Sequence, residues 1–330
     1  MVSLYIMELL SAIMKLGFTN KEKYGKINEQ MFTLRLDINL CYNNRVFVKN
    51  RGSHMRKKLI AIDLDGTLLR NDGTISEKNR IAVGKALENG HMVVLATGRG
   101  YRNSRFVLEK FPVFPYYINA NGTTITQGRP EKSLFANNIP YETGCQIYQL
   151  AREYPTFIEL YHGLDAYDSY EGCEHLKTCG KMEAYRKQLW ETNIHMEQKQ
   201  LDDFVMKERH LLSKFHIVCI TVEEKEELMQ RLAQIPGVFP ISTESNNIEI
   251  ADAHWSKKDA LVWLCERIGM AQEDVLMVGD SANDYESICW AGTGIAVGNA
   301  AKKVLEAADY VTGTNEEDGV AQALAHFELI

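Results

Sequence analysis

The sequence predicts an α/β fold, a Rossmann-like, doubly wound parallel sheet with an inserted α+β segment. Apolar runs of strand type alternate with amphipathic helical stretches from Lys58 onward, as in βαβ units. The same alternation resumes near the C-terminus after a stretch of different texture, roughly 137–250. Acidic and small polar residues follow several apolar runs, at the positions where open α/β sheets place their ligand sites.

The first half of the core domain is predicted at 55–136. Leu59–Ile62 is a continuous apolar run typical of a strand that is covered on both faces. A helix over 79–89 then leads to a second buried strand over 91–96. Tyr116–Asn119 is expected to be the third strand.

The inserted segment, 137–250, is predicted to be a separate α+β insertion, a cap. Its Tyr-, His- and Asp-rich stretch from Tyr161 to Tyr170 is expected to be a loop. Helices are expected over 142–153, 182–190 and 223–233, and strands over 156–161 and 214–222.

The second half of the core domain is predicted at 251–330. It should contain a helix over 257–268, a strand over 274–278, a helix near 284–290 and a strand over 294–297. Together with the first half, these segments complete one sheet.

Residues 1–54 are set apart from this plan. Arg51–Met55 has the pattern of a scar left by a cleavable expression tag, and Met55 leads directly into the first strand. We therefore expect 1–54 to be vector-derived, with a natural extension of unknown role as the alternative. Glu8 and Lys15 interrupt the apolar stretch near the N-terminus, which fits neither a signal peptide nor a membrane-spanning helix.

Composition excludes some partners. Among 330 residues the formal net charge is −7, which argues against a surface built to neutralise nucleic acid. The 7 cysteines include no Cys-x-x-Cys pair, which favours reduced thiols in the cytoplasm. A zinc site from Cys173, His175, Cys179 and His195 is disfavoured, because their spacing fits no standard pattern. The sequence carries no signal for an oligomeric state.

Two aspartates follow the first strand. Asp63 and Asp65 are two residues apart and would face the same way on an extended segment. Such a pair is favourable when it shares a divalent cation or when one member carries a proton. Gly66 lets the backbone turn sharply toward a ligand. Alone, an Asp-Gly pair after a strand is equally typical of a surface turn.

Three further motifs lie after strands or at helix starts. Thr97 and Gly98 offer a hydroxyl and backbone N–H groups to an anion, and Lys257 offers a point charge suited to phosphate oxygens. Asp280 and Asp284 complete an oxygen-rich set typical of Mg²⁺. Each motif alone could be an ordinary turn, cap or surface residue. Four of them in one chain order have a chance probability below about 1 in 100, so they indicate a shared site.

From Met55 to Ile330 the chain resembles the haloacid dehalogenase superfamily, specifically its Cof-like phosphatases of type IIB, which carry a large cap after the second motif. The stretches that carry this resemblance are Asp63–Leu69, Ala96–Arg99, Asn119–Gly122, Ser256–Lys257, Gly279–Asp284, Ala296–Ala300, Ala308–Thr312 and Asn315–Val320.

The resemblance implies a Mg²⁺-dependent phosphatase that acts on small phosphorylated metabolites, such as sugar phosphates, through an aspartyl-phosphate. It also implies that the cap over 137–250 closes over the site and selects the substrate, and that the stretch from Tyr161 to Tyr170 could contact a sugar or ring. Asp63 would be the nucleophile and Asp65 the general acid and base. Mg²⁺ would bind Asp63, the backbone carbonyl of Asp65, Asp280 and Asp284.

The resemblance also implies roles for residues around the phosphate. Thr97, Gly98 and Lys257 would hold its oxygens. Asn121 matches a position near the substrate, although an Asn-Gly turn explains it nearly as well. Asn283 and Asn299 would support the metal and phosphate ligands, and a purely structural role for Asn299 stays open.

Two alternatives compete with the phosphatase. A catalytically idle phosphate-binding or regulatory protein on the same fold would have no use for Asp65 as an acid/base. A phosphomutase usually carries its cap between the first two motifs, whereas the interval from Asp65 to Thr97 has room for only one helix and one strand. Within the superfamily, a dehalogenase is disfavoured, because halide displacement does not need Asp65.

Overall fold

The computed structural model describes residues 56–330 except 110, 112, 184, 186–188, 208, 243, 244 and 253. The prediction for residues 1–54 lies outside this range.

The larger sheet has eight strands in the order β13-β12-β11-β1-β2-β3-β4-β5. Neighbouring strands from β13 to β3 pair in parallel, and β4 and β5 add an antiparallel edge. This arrangement confirms the predicted α/β fold class. The strands are β1 (Leu59–Ile62), β2 (Met92–Ala96), β3 (Tyr116–Asn119), β4 (Thr124–Gly128), β5 (Glu131–Ala136), β11 (Val275–Gly279), β12 (Thr293–Ala296) and β13 (Tyr310–Val311).

The chain crosses the larger sheet in two directions from β1. It steps to β2 and β3 on one side, and after the insertion it returns to β11 and steps outward through β12 to β13. Because parallel crossovers are right-handed, the two directions place their helices on opposite faces of the sheet. The boundary between β1 and β11 is the topological switch point, where open α/β sheets bind ligands beyond the carboxyl ends of the strands.

The helices begin and end at recognisable signals. The first one after the β1 loop follows its N-cap residue Ser76, whose side chain accepts a hydrogen bond from the N–H of Asn79. The helix that carries Lys257 has a capping box from Ser256 to Asp259 and is terminated by its C-cap residue Gly269, which has a φ of 70°. The bounds are α1 (Glu77–Glu88), α2 (Tyr101–Val107), α3 (Tyr141–Ala151), α4 (Tyr170–Thr178), α5 (Gln198–Met206), α6 (Val222–Leu232), α7 (Lys257–Ile268), α8 (Tyr285–Trp290), α9 (Lys302–Ala307) and α10 (Gly319–His326). Within the described part of the chain, none of these helices has the length and apolar character needed to cross a membrane.

The smaller sheet has five strands in the order β10-β9-β6-β7-β8. Its neighbours pair antiparallel except β7 and β8, which are parallel. All five strands come from the chain between β5 and α7, so the structure contains an α+β insertion after the second motif. The strands are β6 (Thr156–His162), β7 (Asp165–Ser169), β8 (Ile194–Met196), β9 (Lys214–Cys219) and β10 (Asn247–Ile250).

The expectation of a loop between Tyr161 and Tyr170 is wrong. β6 continues to His162, the chain turns at Gly163 with a φ of 63°, and β7 pairs back against β6. The helix α4 then starts after Ser169, whose side chain caps it by accepting from the N–H of Gly172. The polar residues of this stretch suggested an exposed loop. In the structure one of them, Asp168, is fully buried.

The two sheets have separate hydrophobic cores. One core contains the apolar runs of β1, β2 and β11 with the inner faces of α1, α7 and α10. The other packs α3, α5 and α6 against β6, β9 and β10. Burial of each set provides a rigid support, so that the polar face of the smaller sheet and the carboxyl edge of the larger one can carry the functional groups.

Candidate active site

The carboxylates predicted to form the site meet at the switch point of the larger sheet. Asp63 directly follows β1, and its backbone N–H donates to the carbonyl of Val278 in β11 at 2.9 Å. Asp280 directly follows β11. Carboxylate oxygens of Asp63, Asp280 and Asp284 all lie within 4.8 Å of one another. Residues that are far apart in the sequence thus lie close together, because β1 and β11 are neighbours in the sheet.

Lys257 lies at the centre of this cluster. Its Nζ donates to Asp63 Oδ1 at 2.6 Å and to Asp284 Oδ1 at 2.7 Å, and its side chain is fully buried. Since Lys257 is the first residue of α7, the helix start fixes its backbone while the side chain reaches into the site. The structure therefore joins the lysine and the acids that the sequence analysis selected from distant motifs.

The electrostatics of the cluster favour an additional cation. Burial raises the pKa of Asp63 well above its ordinary value, and the charge of Asp284 adds to this rise while Lys257 opposes it. Burial also raises the pKa of Asp280 to about 6. One lysine accompanies three carboxylates, which leaves an excess of negative charge among oxygen ligands. A divalent cation that prefers oxygen, such as Mg²⁺, fits this set.

The loop after β1 shapes the floor of the cluster. Thr67 Oγ1 donates to Asp280 Oδ1 at 2.9 Å. Gly66 has a φ of 74°, and a Cβ added there would lie 2.6 Å from Asp280 Oδ2. A glycine is therefore required for two reasons, the left-handed backbone and the close approach of the carboxylate.

Asp284 is also held by backbone N–H groups. Its Oδ2 accepts from the N–H of Asp280 and from that of Ser281, each at 3.1 Å. These bonds orient Asp284 so that its other oxygen meets Lys257. The turn after β11 thereby organises both of its acids.

Thr97 and Asp65 belong to a neighbouring group around the end of β2. Thr97 is fully buried, and its Oγ1 accepts from the N–H of Arg99 at 3.2 Å. The side chain of Asp65 points to Arg99, which donates to its two oxygens at 2.6 and 2.7 Å. A Cβ at Gly98 would lie 2.8 Å from Asn121 Oδ1, so this position allows the Asn121 turn to approach.

Asn121 connects the two halves of the core domain with the insertion. It adopts a left-handed turn with a φ of 58°, its Nδ2 donates to Glu249 Oε2 at 3.0 Å, and its Oδ1 accepts from Asn283 Nδ2 at 3.0 Å. Glu249 in β10 also pairs with Lys214 in β9 at 2.9 Å. Asn121 therefore forms the turn before Gly122 and also lies next to Asn283 of the site.

Asn299 lies behind the β1 loop. Its Nδ2 donates to the carbonyl of Gly66 at 2.8 Å, and its Oδ1 accepts from the N–H of Asn315 at 2.8 Å. Asn299 therefore braces the backbone that carries Gly66 and Thr67.

A cavity of about 570 Å³ opens beside the cluster. Its volume lies in the range of sites that hold small molecules. It is bordered by both halves of the core and by the insertion, including Asn121, Lys214, Glu249, Trp255, Lys257 and Asn283.

Four of these residues were not predicted from the sequence to have a role. Thr67 and Arg99 lie within the motifs that carry the family resemblance. Their side chains can donate hydrogen bonds to the acids of these motifs, and this property could have identified them. Lys214 and Glu249 lie in short strands of the insertion, where Lys214 is 3% exposed. A charged residue beside the buried apolar residues of a strand is the signal that could have identified these two.

A second polar cluster lies inside the insertion. Asp168 accepts from Tyr185 Oη, from Asn193 Nδ2 at 3.1 Å and from His195 Nδ1 at 2.7 Å, with Cys173 Sγ at 3.8 Å. These donors satisfy the buried carboxylate, and the cluster is explained as a structural network.

The sequence matches a family model described as haloacid dehalogenase-like hydrolase over residues 60–324. This chain belongs to the haloacid dehalogenase-like hydrolases. The match covers most of the chain and includes both parts of the larger sheet and the insertion, and it confirms the family expected from the motifs.

Individual relatives agree with this membership. The hydrolase is 28% identical over 273 residues to the 5-amino-6-(5-phospho-D-ribitylamino)uracil phosphatase YcsE of Bacillus subtilis (strain 168), covering 82% of this chain and 96% of the relative. A solved haloacid dehalogenase-like hydrolase from Bacteroides thetaiotaomicron matches with a TM-score of 0.71 and 29% identity, covering 82% of this chain and 100% of that one. The family match and the phosphatase relative confirm the predicted enzyme class, a phosphatase.

A more distant structure has the same fold. The structure of a sugar phosphatase of haloacid dehalogenase subclass IIB matches with a TM-score of 0.66 and 21% identity, covering 83% of this chain and 100% of that one. This likeness concerns the fold, and it agrees with a doubly wound core that carries an α+β insertion.

Proposed function

We propose that this hydrolase is a Mg²⁺-dependent phosphatase that releases phosphate from small phosphorylated metabolites through an aspartyl-phosphate on Asp63. The observation that carries the proposal is the buried contact of Lys257 with Asp63 and Asp284. A fixed cation beside a carboxylate nucleophile offsets charge on a phosphoryl group as it transfers. An exposed or solvated lysine would contribute far less.

The proposed metal ligands are the carboxylates of Asp63, Asp280 and Asp284 with the backbone carbonyl of Asp65. The three carboxylates fit Mg²⁺ because they are oxygen donors that converge within 4.8 Å and carry excess negative charge. Bound Mg²⁺ would supply positive charge next to the phosphate and the nucleophile.

The proposed reaction has two steps in which Asp65 first gives and then takes a proton. A carboxylate oxygen of Asp63 forms a bond to phosphorus while the ester P–O bond breaks, and the leaving oxygen takes the proton of Asp65. Water then loses a proton to Asp65 and attacks the phosphorus, which releases inorganic phosphate and restores Asp63. Thr97, the backbone at Gly98 and Lys257 hold the phosphoryl oxygens throughout.

The insertion is proposed to act as the cap, with the predicted limits 137–250. Its residues Lys214 and Glu249 border the cavity, and they offer one donor and one acceptor to hydroxyl groups of a leaving group. We infer sugar phosphates or related phosphomonoesters as substrates. The phosphorylated ribityl substrate in the name of the Bacillus subtilis relative supports this class.

Phosphate release from a panel of sugar phosphates and 4-nitrophenyl phosphate tests the proposal. We expect turnover that requires Mg²⁺, stops with chelator and is lost in Asp63→Asn. Asp274→Asn is the matched control, because Asp274 is also buried, at 4% exposure, but lies at the opposite end of β11 and pairs with Lys58. This control should keep its activity.

The outcomes separate the alternatives. Activity in Asp63→Asn equal to that of the unchanged protein would contradict the nucleophile, and full activity in chelator would contradict the metal. A folded protein that binds Mg²⁺ but hydrolyses none of the panel would favour a phosphate-binding or regulatory role.

A further inference from the structure

A partly buried arginine, Arg99, holds the residue proposed as acid and base. Arg99 Nε donates to Asp65 Oδ2 at 2.7 Å, and Nη2 donates to Oδ1 at 2.6 Å. The side chain of Asp65 is 53% exposed, whereas that of Arg99 is 15% exposed. The carboxylate is thus half-exposed and is held by two parallel hydrogen bonds, a geometry that the planar guanidinium provides.

Arg99 makes three further hydrogen bonds, one from its guanidinium and two from its backbone. Its Nη1 donates to Asn103 Oδ1 at 2.7 Å. Its backbone N–H donates to Thr97 Oγ1 at 3.2 Å, and its backbone carbonyl accepts from the N–H of Ala120 at 2.9 Å. Asn103 lies in the first turn of α2 and is 4% exposed. The guanidinium therefore has little freedom to follow Asp65 if that side chain moves.

The anchor of Arg99 also touches the insertion. Asn103 Nδ2 lies 3.5 Å from Thr192 Oγ1, and the next residue, Asn193, donates to Glu159 in β6 at 2.7 Å. The position of the guanidinium is braced from both the core and the insertion.

We propose that Arg99 is a positioning residue that sets the orientation of the Asp65 carboxylate for proton transfer. This inference rests on the proposed function, in which Asp65 exchanges a proton with the leaving oxygen and then with water. Proton transfer requires a short, aligned contact, and a misplacement of about 1 Å can reduce the rate roughly 100-fold. Without the guanidinium, a half-exposed aspartate would rotate among several rotamers.

Two substrates with different leaving groups distinguish positioning from a general structural role. A sugar phosphate needs a proton on its leaving alkoxide, whereas 4-nitrophenolate leaves without one. In Arg99→Met we expect kcat/KM for a sugar phosphate to fall about 10- to 100-fold. For 4-nitrophenyl phosphate we expect kcat/KM to change less than about 3-fold. This parameter reports the reaction up to the transfer of the phosphoryl group to Asp63, which here needs no proton from Asp65. Arg99→Lys keeps a charge but loses the fork, and should give an intermediate loss on the sugar phosphate.

Arg102→Met is the matched control. Arg102 lies in α2, the helix that carries Asn103, and it pairs with Glu131 at 2.7 Å and with Asp165 of the insertion at 2.8 Å. If the loss in Arg99→Met came from loosening between α2 and the insertion, Arg102→Met would show it too. We expect this control to retain both activities.

A double-mutant cycle completes the test. Because Arg99 acts through Asp65, the variant with both Asp65→Asn and Arg99→Met should be no less active than Asp65→Asn alone. Additive losses, or equal losses on both substrates in Arg99→Met, would overturn the positioning role. Full activity of Asp65→Asn on the sugar phosphate would instead overturn the acid/base assignment in the proposed function. An inactive Asp65→Asn beside an unaffected Arg99→Met would refute the role of Arg99 alone.

Discussion

Replacing Lys257 by methionine should destabilise the protein strongly. The lysine is fully buried and compensates Asp63 and Asp284 at 2.6 and 2.7 Å. Methionine has a similar length but leaves two buried carboxylates without their cation, and removing one partner of a buried ion pair costs about 3–5 kcal/mol. For a protein of this size, that loss lowers the thermal midpoint by roughly 10 °C.

The loss should depend on pH in a defined direction. Burial raises the pKa of Asp63, and Asp284 raises it further, so the acid is more readily protonated in the folded protein than in the unfolded chain. Such a group stabilises the fold below its ordinary pKa, and this contribution is lost as the pH rises through the raised value. The charge of Lys257 opposes this rise in the pKa of Asp63. The loss of unfolding free energy in Lys257→Met should therefore be smallest at acid pH, where the carboxyl groups are protonated, and should grow as the pH rises.

The assay is thermal unfolding in chelator, followed by circular dichroism, for Lys257→Met and for Lys258→Met. Lys258 is the neighbouring residue, is 34% exposed and pairs with Asp259 at 2.9 Å. Its replacement should cost less than about 1 kcal/mol, as expected for a surface pair. Equal midpoints for the two variants would refute the conclusion that the buried pairs of Lys257 support the site.

Three other predictions concern the loop, the metal ligands and the cavity. Gly66→Ala should raise the Mg²⁺ concentration needed for half activity about 10-fold, because its Cβ would meet Asp280; Gly73→Ala, which has a φ of 80° but no atom within 4 Å of its Cβ, should not. Asp280→Asn should weaken Mg²⁺ activation, yet in chelator it should remove the loss of stability that accompanies the rise of pH through about 6, since burial raises the pKa of Asp280 to that value; a falling stability over that range in the variant would contradict this origin. Lys214→Met should raise the KM for sugar phosphates roughly 10-fold with less effect on 4-nitrophenyl phosphate, and equal changes for both substrates would exclude Lys214 from leaving-group recognition.

The sequence predicted best the strands and helices that are marked by local patterns of neighbouring residues. Leu59–Ile62 is a strand and Lys257–Ile268 is a helix with the expected bounds, because a continuous apolar run and a capping serine identify them locally. The expected helix over 79–89 begins two residues earlier, at Glu77, where Ser76 provides the cap. Such shifts are small because local hydrogen bonding determines helix ends.

The insertion was predicted less well. β7 and β8 are short strands, and β7 contains two buried polar residues, Asp168 and Ser169. Asp168 is buried because donors from distant segments, such as His195 in β8, surround it. Sequence texture cannot reveal that burial, since the donors become neighbours only in the folded chain. The expected helix over 182–190 includes residues outside the described range.

The same limit applies to the site. Asp63, Lys257 and Asp280 carry recognisable motifs at strand and helix ends, so their proximity could be expected. The contacts of Lys214 with the carbonyl of Gly98 and of Glu249 with Asn121 depend on how the smaller sheet lies over the larger one. The two hydrogen bonds from the Arg99 guanidinium to Asp65 likewise depend on the tertiary structure, although both residues lie in recognised motifs.

Detection of the phosphorylated enzyme tests the central claim most directly. The protein is mixed with Mg²⁺ and 4-nitrophenyl phosphate, quenched in acid within milliseconds, and its peptides are examined by mass spectrometry. The expected result is a phosphoryl group on Asp63 that disappears when the substrate is exhausted, with none on any peptide of Asp63→Asn. Phosphate release at the normal rate with no phosphorylated Asp63, or a phosphoryl group on another residue, would contradict the mechanism.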